Sequence, residues 1–272
     1  MITTGSVRRL SRLIVELSMG FLKNWHRRQI LRRSRLPEVA WRRLVDSQPL
    51  LHRLNEGELA RLQELVILFL HEKSLEPIGD LELDDAMRLS IAAPACLPIL
   101  NLGLDYYTGW VSLIIYPESF RVQHRYIDAA GVVHYEPCAR AGEAWARGPL
   151  VLSWADIVQM PASAGYNVVI HECAHKLDML NGVANGMPPL HGGMAIPQWT
   201  QAFTSAYEHL CQQLMEGKET VVSSYAAKSP GEFFAVISEA FFTIPGVLHD
   251  VYPAVYQQLC AFYRQDPAVR LP

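Results

Sequence analysis

Residues 171–175 read His-Glu-Cys-Ala-His, and no other stretch restricts the fold as tightly. They lie in a run from Tyr166 to Leu180 that contains no glycine or proline. Asn181-Gly182 closes the run and reads as a helix stop, because glycine takes the left-handed cap position at no steric cost. On a helix, side chains four apart lie one above the other, so both imidazoles point the same way. Two neutral imidazoles at that spacing form half of a tetrahedral zinc site. Glu172 is turned about 100° round the axis, which places it beside the metal, where it can take a proton from the water that zinc activates. Val168, Val169, Ile170, Ala174 and Leu177 make the rest of the segment apolar. That pattern suits a buried helix with one polar stripe better than a core helix whose histidines merely hydrogen-bond. Cys173 falls off the stripe and reads as a small core residue.

Zinc needs a third protein ligand. The metzincin extension requires Gly at 178 and His at 181, and Asp178 and Asn181 exclude it. The remaining common solution is a glutamate on a second helix. In the stretch 225–242, Ser229 reads as N-cap, Pro230 as the first helical residue and Glu232 as the third, where a capping-box glutamate sits. Glu239 lies two turns further on the same face, flanked by Ile237, Phe241 and Phe242. Spacing leaves Glu232 and Glu239 equally open as the ligand. Asp178, one turn after His175, reads either as a partner that orients an imidazole or as a helix-end carboxylate.

Three segments carry a family resemblance: His-Glu-x-Ala-His-Lys-Leu-Asp at 171–178, Gly-Pro-x-Val-Leu-Ser-Trp at 148–154, and Tyr-Ala-Ala-x-x-Pro-x-Glu at 225–232. They resemble the Mlc titration factor A family, also called DgsA anti-repressors, over most of the chain from about residue 45 onward. Glu232-Phe233-Phe234-Ala235, with Tyr225 seven residues before it, also resembles the catalytic domain of anthrax lethal factor. Both are zincins of the H-E-x-x-H plus Glu type. The resemblance implies an α+β, zincin-like (gluzincin) fold with a mixed β-sheet and one Zn2+ per chain. It implies His171, His175 and Glu232 as ligands, Glu172 as general base and Tyr225 as transition-state donor. The titration-factor family has a further metal-contacting histidine in a Gly-x-Val-His segment, and Gly131-Val132-Val133-His134 matches it. A ligating His134 would close the resting site. The implied activity is metal-assisted amide hydrolysis of peptides, of aminopeptidase type. The implied partner is an Mlc-like transcriptional repressor. The competing expectation is an anti-repressor interaction module whose zinc site is closed or structural.

Charge divides the chain. Residues 1–45 carry eleven Lys/Arg against two Glu (+9), and the remainder carries thirteen against twenty-five (−12), for the net −3. We read 1–48 as a basic, helical, amphipathic extension and 49–272 as the peptidase domain. Leu10, Leu13, Ile14, Leu17, Phe21 and Trp25 fall on one helical face among paired arginines. Such an arm suits a membrane surface, nucleic acid or an acidic partner, but no defined DNA-binding motif is present. The reading preferred is a partly ordered extension with solvated arginines, for which folding back on the acidic body is one option. No run of eighteen apolar residues is present, and Leu13–Leu22 lacks the cleavage site of a signal peptide. Five scattered cysteines, Cys138 among them, make no disulfide framework, which suits a cytoplasmic protein. Lone serines without a G-x-S-x-G context give nucleophilic hydrolysis no support.

For the remaining elements, one or two helices are expected over 51–75 with Asn55 as cap, and a polar turn over 73–84. A helix broken by proline is expected over 86–102. Strands are expected at 111–116, 121–127, 132–135 and 150–154. The last is the candidate for an edge strand that binds extended substrate. Gly182–Pro197 reads as a mobile loop near the cleft, with His191 as a surface loop residue in preference to a gate or substrate contact. Helices are expected over 199–216, 230–243 and 254–263.

Overall fold

The computed structural model describes residues 20–118, 148–158 and 165–270, together with the backbone of 123–127 and 133–137. Helices dominate. α1 spans 20–33, and α2 (Glu38–Ser47), α3 (Pro49–His52) and α4 (Glu56–Glu72) follow. The Asn55 side chain accepts from the Glu58 amide while the Glu58 carboxylate accepts from the Asn55 amide, a reciprocal cap that fixes the start of α4. β1 (Ser74–Pro77) comes next, in the segment expected to be a polar turn. It escaped the sequence reading because only Leu75 of its four residues faces the core. β1 is an edge strand, where a proline is tolerated. α5 (Asp85–Cys96) runs through Pro94 and ends, capped by Leu97, just before Pro98, so of the two prolines expected to break it only the second does. Pro94 lies close enough to the end that only the bond it would have made is lost, and the Leu97 amide already bonds Ala93 again.

β2 (Ser112–Tyr116) lies between β1 and β5 (Leu150–Ser153) in an all-parallel sheet. Leu113 pairs with Leu150 and Ile115 with Leu152, so one face is a block of buried aliphatics. The antiparallel pair β3 (Gln123–Ile127) and β4 (Val133–Pro137) forms a separate two-stranded sheet, not part of one mixed sheet as expected. α6 (Trp154–Val158) leaves β5, and α7 (Val168–Asp178) carries the H-E-x-x-H segment and packs on β5. α8 (Ile196–Met215), α9 (Pro230–Thr243), α10 (Pro245–Val251) and α11 (Pro253–Tyr263) complete the chain.

α9 is the centre of the core. Every residue from Gly231 to Thr243 is buried, as expected for a helix that is apolar all round. Phe233 and Phe234 meet Phe203 and Trp199, while Phe241 stacks on Tyr263. Ser238 is satisfied by the Phe234 carbonyl and the Tyr263 hydroxyl. Two carboxylates, Glu232 and Glu239, are also buried on this helix. A buried charge is costly unless paired, so each needs a partner. Both find it on α7. No described helix is long and apolar enough to cross a membrane.

Candidate metal centre

Asn167 starts α7, its side chain accepting from the Ile170 amide at 3.0 Å. Ser229 starts α9 in the same way, accepting from the Glu232 amide at 3.2 Å. The Glu232 carboxylate does not complete the capping box and instead reaches across to α7. His171 Nε2 and His175 Nε2 are 3.2 Å apart, and Glu232 Oε2 lies 3.1 Å from the first and 3.3 Å from the second. The three atoms form a nearly equilateral triangle. Donors held about 2.0–2.1 Å from a tetrahedral zinc ion are separated by roughly 3.3–3.4 Å, so the triangle has the dimensions of a zinc face.

His171 Nδ1 donates to Glu239 Oε1 at 2.7 Å, since a carboxylate can only accept. A protonated ring donates from Nε2 to Glu232, whereas a neutral ring, as a metal ligand must be, turns an Nε2 lone pair toward His175 and Glu232. In that neutral state three lone pairs converge on one point, which a cation would satisfy. The centre favours positive charge, as a proton or as an ion. Burial opposes a charged ring at His171, but bonds to Glu232 and Glu239 prevail and push its pKa up to about 10. Burial likewise opposes the Glu232 carboxylate, yet both histidines hold it well below its usual range. The donor set thus fits a divalent ion, with His171, His175 and Glu232 able to hold it.

Glu239, the rival ligand in the sequence, stands behind His171. Only 1 % exposed, it accepts from His171 Nδ1 and, at 2.5 Å, from the Asn167 amide. Its burial among Ile237, Phe241 and Phe242 was the available signal, but spacing could not tell which face of the imidazole it meets. Glu172 is half-buried and has no hydrogen-bond partner among the described residues. Tyr225 lies on the 3-10 turn Ser224–Lys228, its hydroxyl donating to Glu232 Oε1 at 3.3 Å. Burial, and then the Glu232 and Glu172 charges, push its pKa up, so the proton stays on at any physiological pH. Lys228 Nζ sits 4.0 Å over the Tyr225 ring. Tyr166, at the entry to α7, is pushed up to about 12, first by burial and then by Glu239, Asp156 and Glu172.

Asp178 does not hydrogen-bond an imidazole. Its Oδ2 accepts from the Gly186 amide at 2.7 Å, while its Oδ1 and His175 Nδ1 are both buried without a hydrogen-bond partner among the described residues. Asp178 thereby anchors the loop after α7, which is held at several further points. Trp199 Nε1 donates to the Gly186 carbonyl at 3.0 Å, and Asn181 to that of Met187 at 2.9 Å. His191 is half-buried rather than a free surface residue: Nε2 donates to the Phe262 carbonyl at 2.7 Å and Nδ1 lies 3.1 Å from the Tyr106 hydroxyl. Gly186, at φ +80°, lets the loop touch α9, since a Cβ there would lie 2.6 Å from the Pro230 carbonyl oxygen. The loop therefore fixes the end of the two-histidine helix against the start of the glutamate helix. Cys173 is a core residue, as expected, its thiol pushed up to about 12 by burial. The side chain of His134, on β4, and Cys138 lie outside the described residues.

Comparison with known sequences places the chain in a metallopeptidase family. The sequence model of one family, described as glucose-regulated metallo-peptidase M90, matches residues 22–264. The match begins inside the basic arm. A protein of Edwardsiella ictaluri named Mlc titration factor A is 40 % identical over 226 residues, 82 % of this chain and 86 % of its own. Proteins of the same name are 40 % identical over 228 residues in Salmonella arizonae (82 % and 90 % of the two chains) and 37 % identical over 225 residues in Escherichia fergusonii (82 % and 85 %).

Proposed function

The chain belongs to the glucose-regulated metallo-peptidase M90 family, and from that premise we propose that it is a zinc peptidase of the H-E-x-x-H plus Glu type, with the gluzincin fold. The observation that carries the reading is the triangle of donors from two helices, with Glu172 next in sequence to one of them. A divalent ion held there supplies the Lewis acidity that makes water nucleophilic near neutral pH.

The chain's own residues do the rest. Glu239 holds His171 with its Nε2 lone pair turned inward. Glu172, free of hydrogen-bond partners among the described residues, takes a proton as water oxygen bonds to the scissile carbonyl carbon. It then passes that proton to the amide nitrogen as the carbon–nitrogen bond breaks. The Tyr225 hydroxyl, still protonated, turns from Glu232 to donate to the oxyanion. Family resemblance supports aminopeptidase-type specificity, a cytoplasmic setting, and His134 as a further ligand that closes the resting site.

The test is a peptide-hydrolysis assay paired with metal analysis. Glu172→Gln should abolish turnover while metal content stays at one ion per chain, and His175→Ala should lose the ion. Turnover that survives Glu172→Gln sinks the mechanism. A second reading is favoured by the relatives' name: the chain binds an Mlc-like transcriptional repressor and takes it out of action. Repressor capture that is unchanged by Glu172→Gln, from a protein without peptidase activity, would establish binding as the sole role.

A further inference from the structure

α1 is fastened to the body along one stripe. Lys23 Nζ donates to Asp105 at 2.5 Å, and Arg27 bonds Glu72 at 2.6 and 3.1 Å and reaches Asp105 at 2.9 Å. Ile30 and Leu31 pack on the core, and the Ser34 hydroxyl lies 2.8 Å from His71 Nε2. This much of the arm folds back on the acidic body. The other two stripes, Phe21-Trp25-Arg28-Arg32 and Leu22-His26-Gln29-Arg33, follow i, i+4, i+7, i+11 spacing and turn away from it. Phe21 is 71 % exposed, Leu22 61 % and Trp25 55 %. Arg28, Arg32 and Arg33 make no ion pair with any described residue. Alongside runs an open groove of about 450 Å³, with Trp25 and Ile30 on its walls and His26, Arg33 and His71 among its polar residues.

We propose that this face docks onto the surface of an anionic phospholipid bilayer. Three large apolar side chains in the first two turns, followed by three unpaired arginines, match the two depths of a bilayer interface. Rings and aliphatic groups enter at the acyl boundary, and guanidinium groups stay at the phosphates. A nucleic acid would engage the arginines but leave Phe21 and Leu22 in water. Charge fixes the orientation. The body beyond residue 45 carries −12 and is repelled by an anionic surface, whereas the arm carries +9 and is drawn to it. The inference is independent of the peptidase reading.

Cosedimentation of the full chain with phosphatidylglycerol-containing vesicles, against pure phosphatidylcholine vesicles, tests it. Binding should require the anionic lipid and weaken with salt. The Arg28→Gln/Arg32→Gln/Arg33→Gln variant should bind about fivefold more weakly for each arginine removed. The Phe21→Ser/Trp25→Ser variant should retain only salt-sensitive, residual binding. All five positions are on the outward stripes, and unchanged thermal melting will confirm that both variants fold. Absence of binding to anionic vesicles at low salt overturns the proposal, as does binding that neither variant alters. It is also overturned if duplex DNA is bound more tightly than the vesicles with the aromatic pair dispensable, or if Trp25→Ser abolishes a lipid-free self-association.

Discussion

Replacing Glu239 by glutamine keeps the shape of a buried side chain and removes one acceptor. The carboxylate now receives two N–H groups, His171 Nδ1 at 2.7 Å and the Asn167 amide at 2.5 Å. A glutamine amide offers one oxygen, so either His171 or Asn167 must then face an NH2 group. A buried donor left without its partner costs about 1–3 kcal/mol. At about 1.4 kcal/mol per factor of ten, that is roughly 5- to 150-fold in affinity for an ion that needs the present ring orientation. The range overlaps the ~10–100-fold typical of residues that orient metal-binding histidines. Competition with a chromophoric chelator reads zinc affinity directly, without recourse to activity. Glu239→Gln should weaken zinc by about one to two decades, and Glu232→Ala by considerably more because it removes a donor. Wild-type affinity in Glu239→Gln would refute the orienting role. If Glu239→Ala loses the ion while Glu232→Ala keeps it, the two glutamates have been assigned the wrong way round.

Gly186→Ala should lower the melting temperature by on the order of 10 °C and weaken zinc binding. A left-handed backbone costs alanine about 1–2 kcal/mol, and the contact with Pro230 adds about 1–3 kcal/mol, at ~2–4 °C for each. Gly192→Ala, in open space, is the control that should change neither. Tyr225→Phe should lower kcat by about 10²–10³ with zinc affinity and KM little altered, and stopped-flow peptide hydrolysis will separate these. Burial pushes the Lys73 ammonium down to about 8, against the attraction of Glu72. Its folded value is below its unfolded one, so the unfolded chain binds more protons between about pH 8 and 10.5. The Lys73 contribution to stability should therefore rise through that window, against an opposing fall from Cys173, whose folded value is raised, so the readout is the difference between wild type and Lys73→Met. Denaturant melts of wild type and Lys73→Met across pH will check it, and a parallel course for the two would remove Lys73 as the cause.

Much of this was legible in the residues. Pro230–Thr243 begins and ends where Ser229, Pro230 and the apolar run place it, because cap chemistry is local. The α7 helix was legible too, although it gives way to a 3-10 turn after Asp178, before the expected stop at Gly182. Partnerships between distant segments were not legible. Glu232 and Glu239 sit seven apart on one face, and only the packing of α9 against α7 decides which meets Nε2 and which meets Nδ1. Asp178 looked like an imidazole's neighbour from helical spacing, but the Gly186 amide, brought in by the loop, takes its oxygen instead. The same loop lacked periodicity and read as mobile, whereas its anchors are single hydrogen bonds to Trp199, Phe262 and Asp178 that leave no trace in composition.

Because α9 has no solvent-facing side, the glutamate half of the centre offers little room for variation. A side chain enlarged anywhere from Gly231 to Thr243 strikes packed neighbours before it can reach a peptide. The opposite wall is more permissive, since Tyr166 is partly open to water and Lys228 lies at the surface. Laboratory selection for new cleavage preferences should accordingly enrich changes at Tyr166 and Lys228 and leave the aromatic interior untouched.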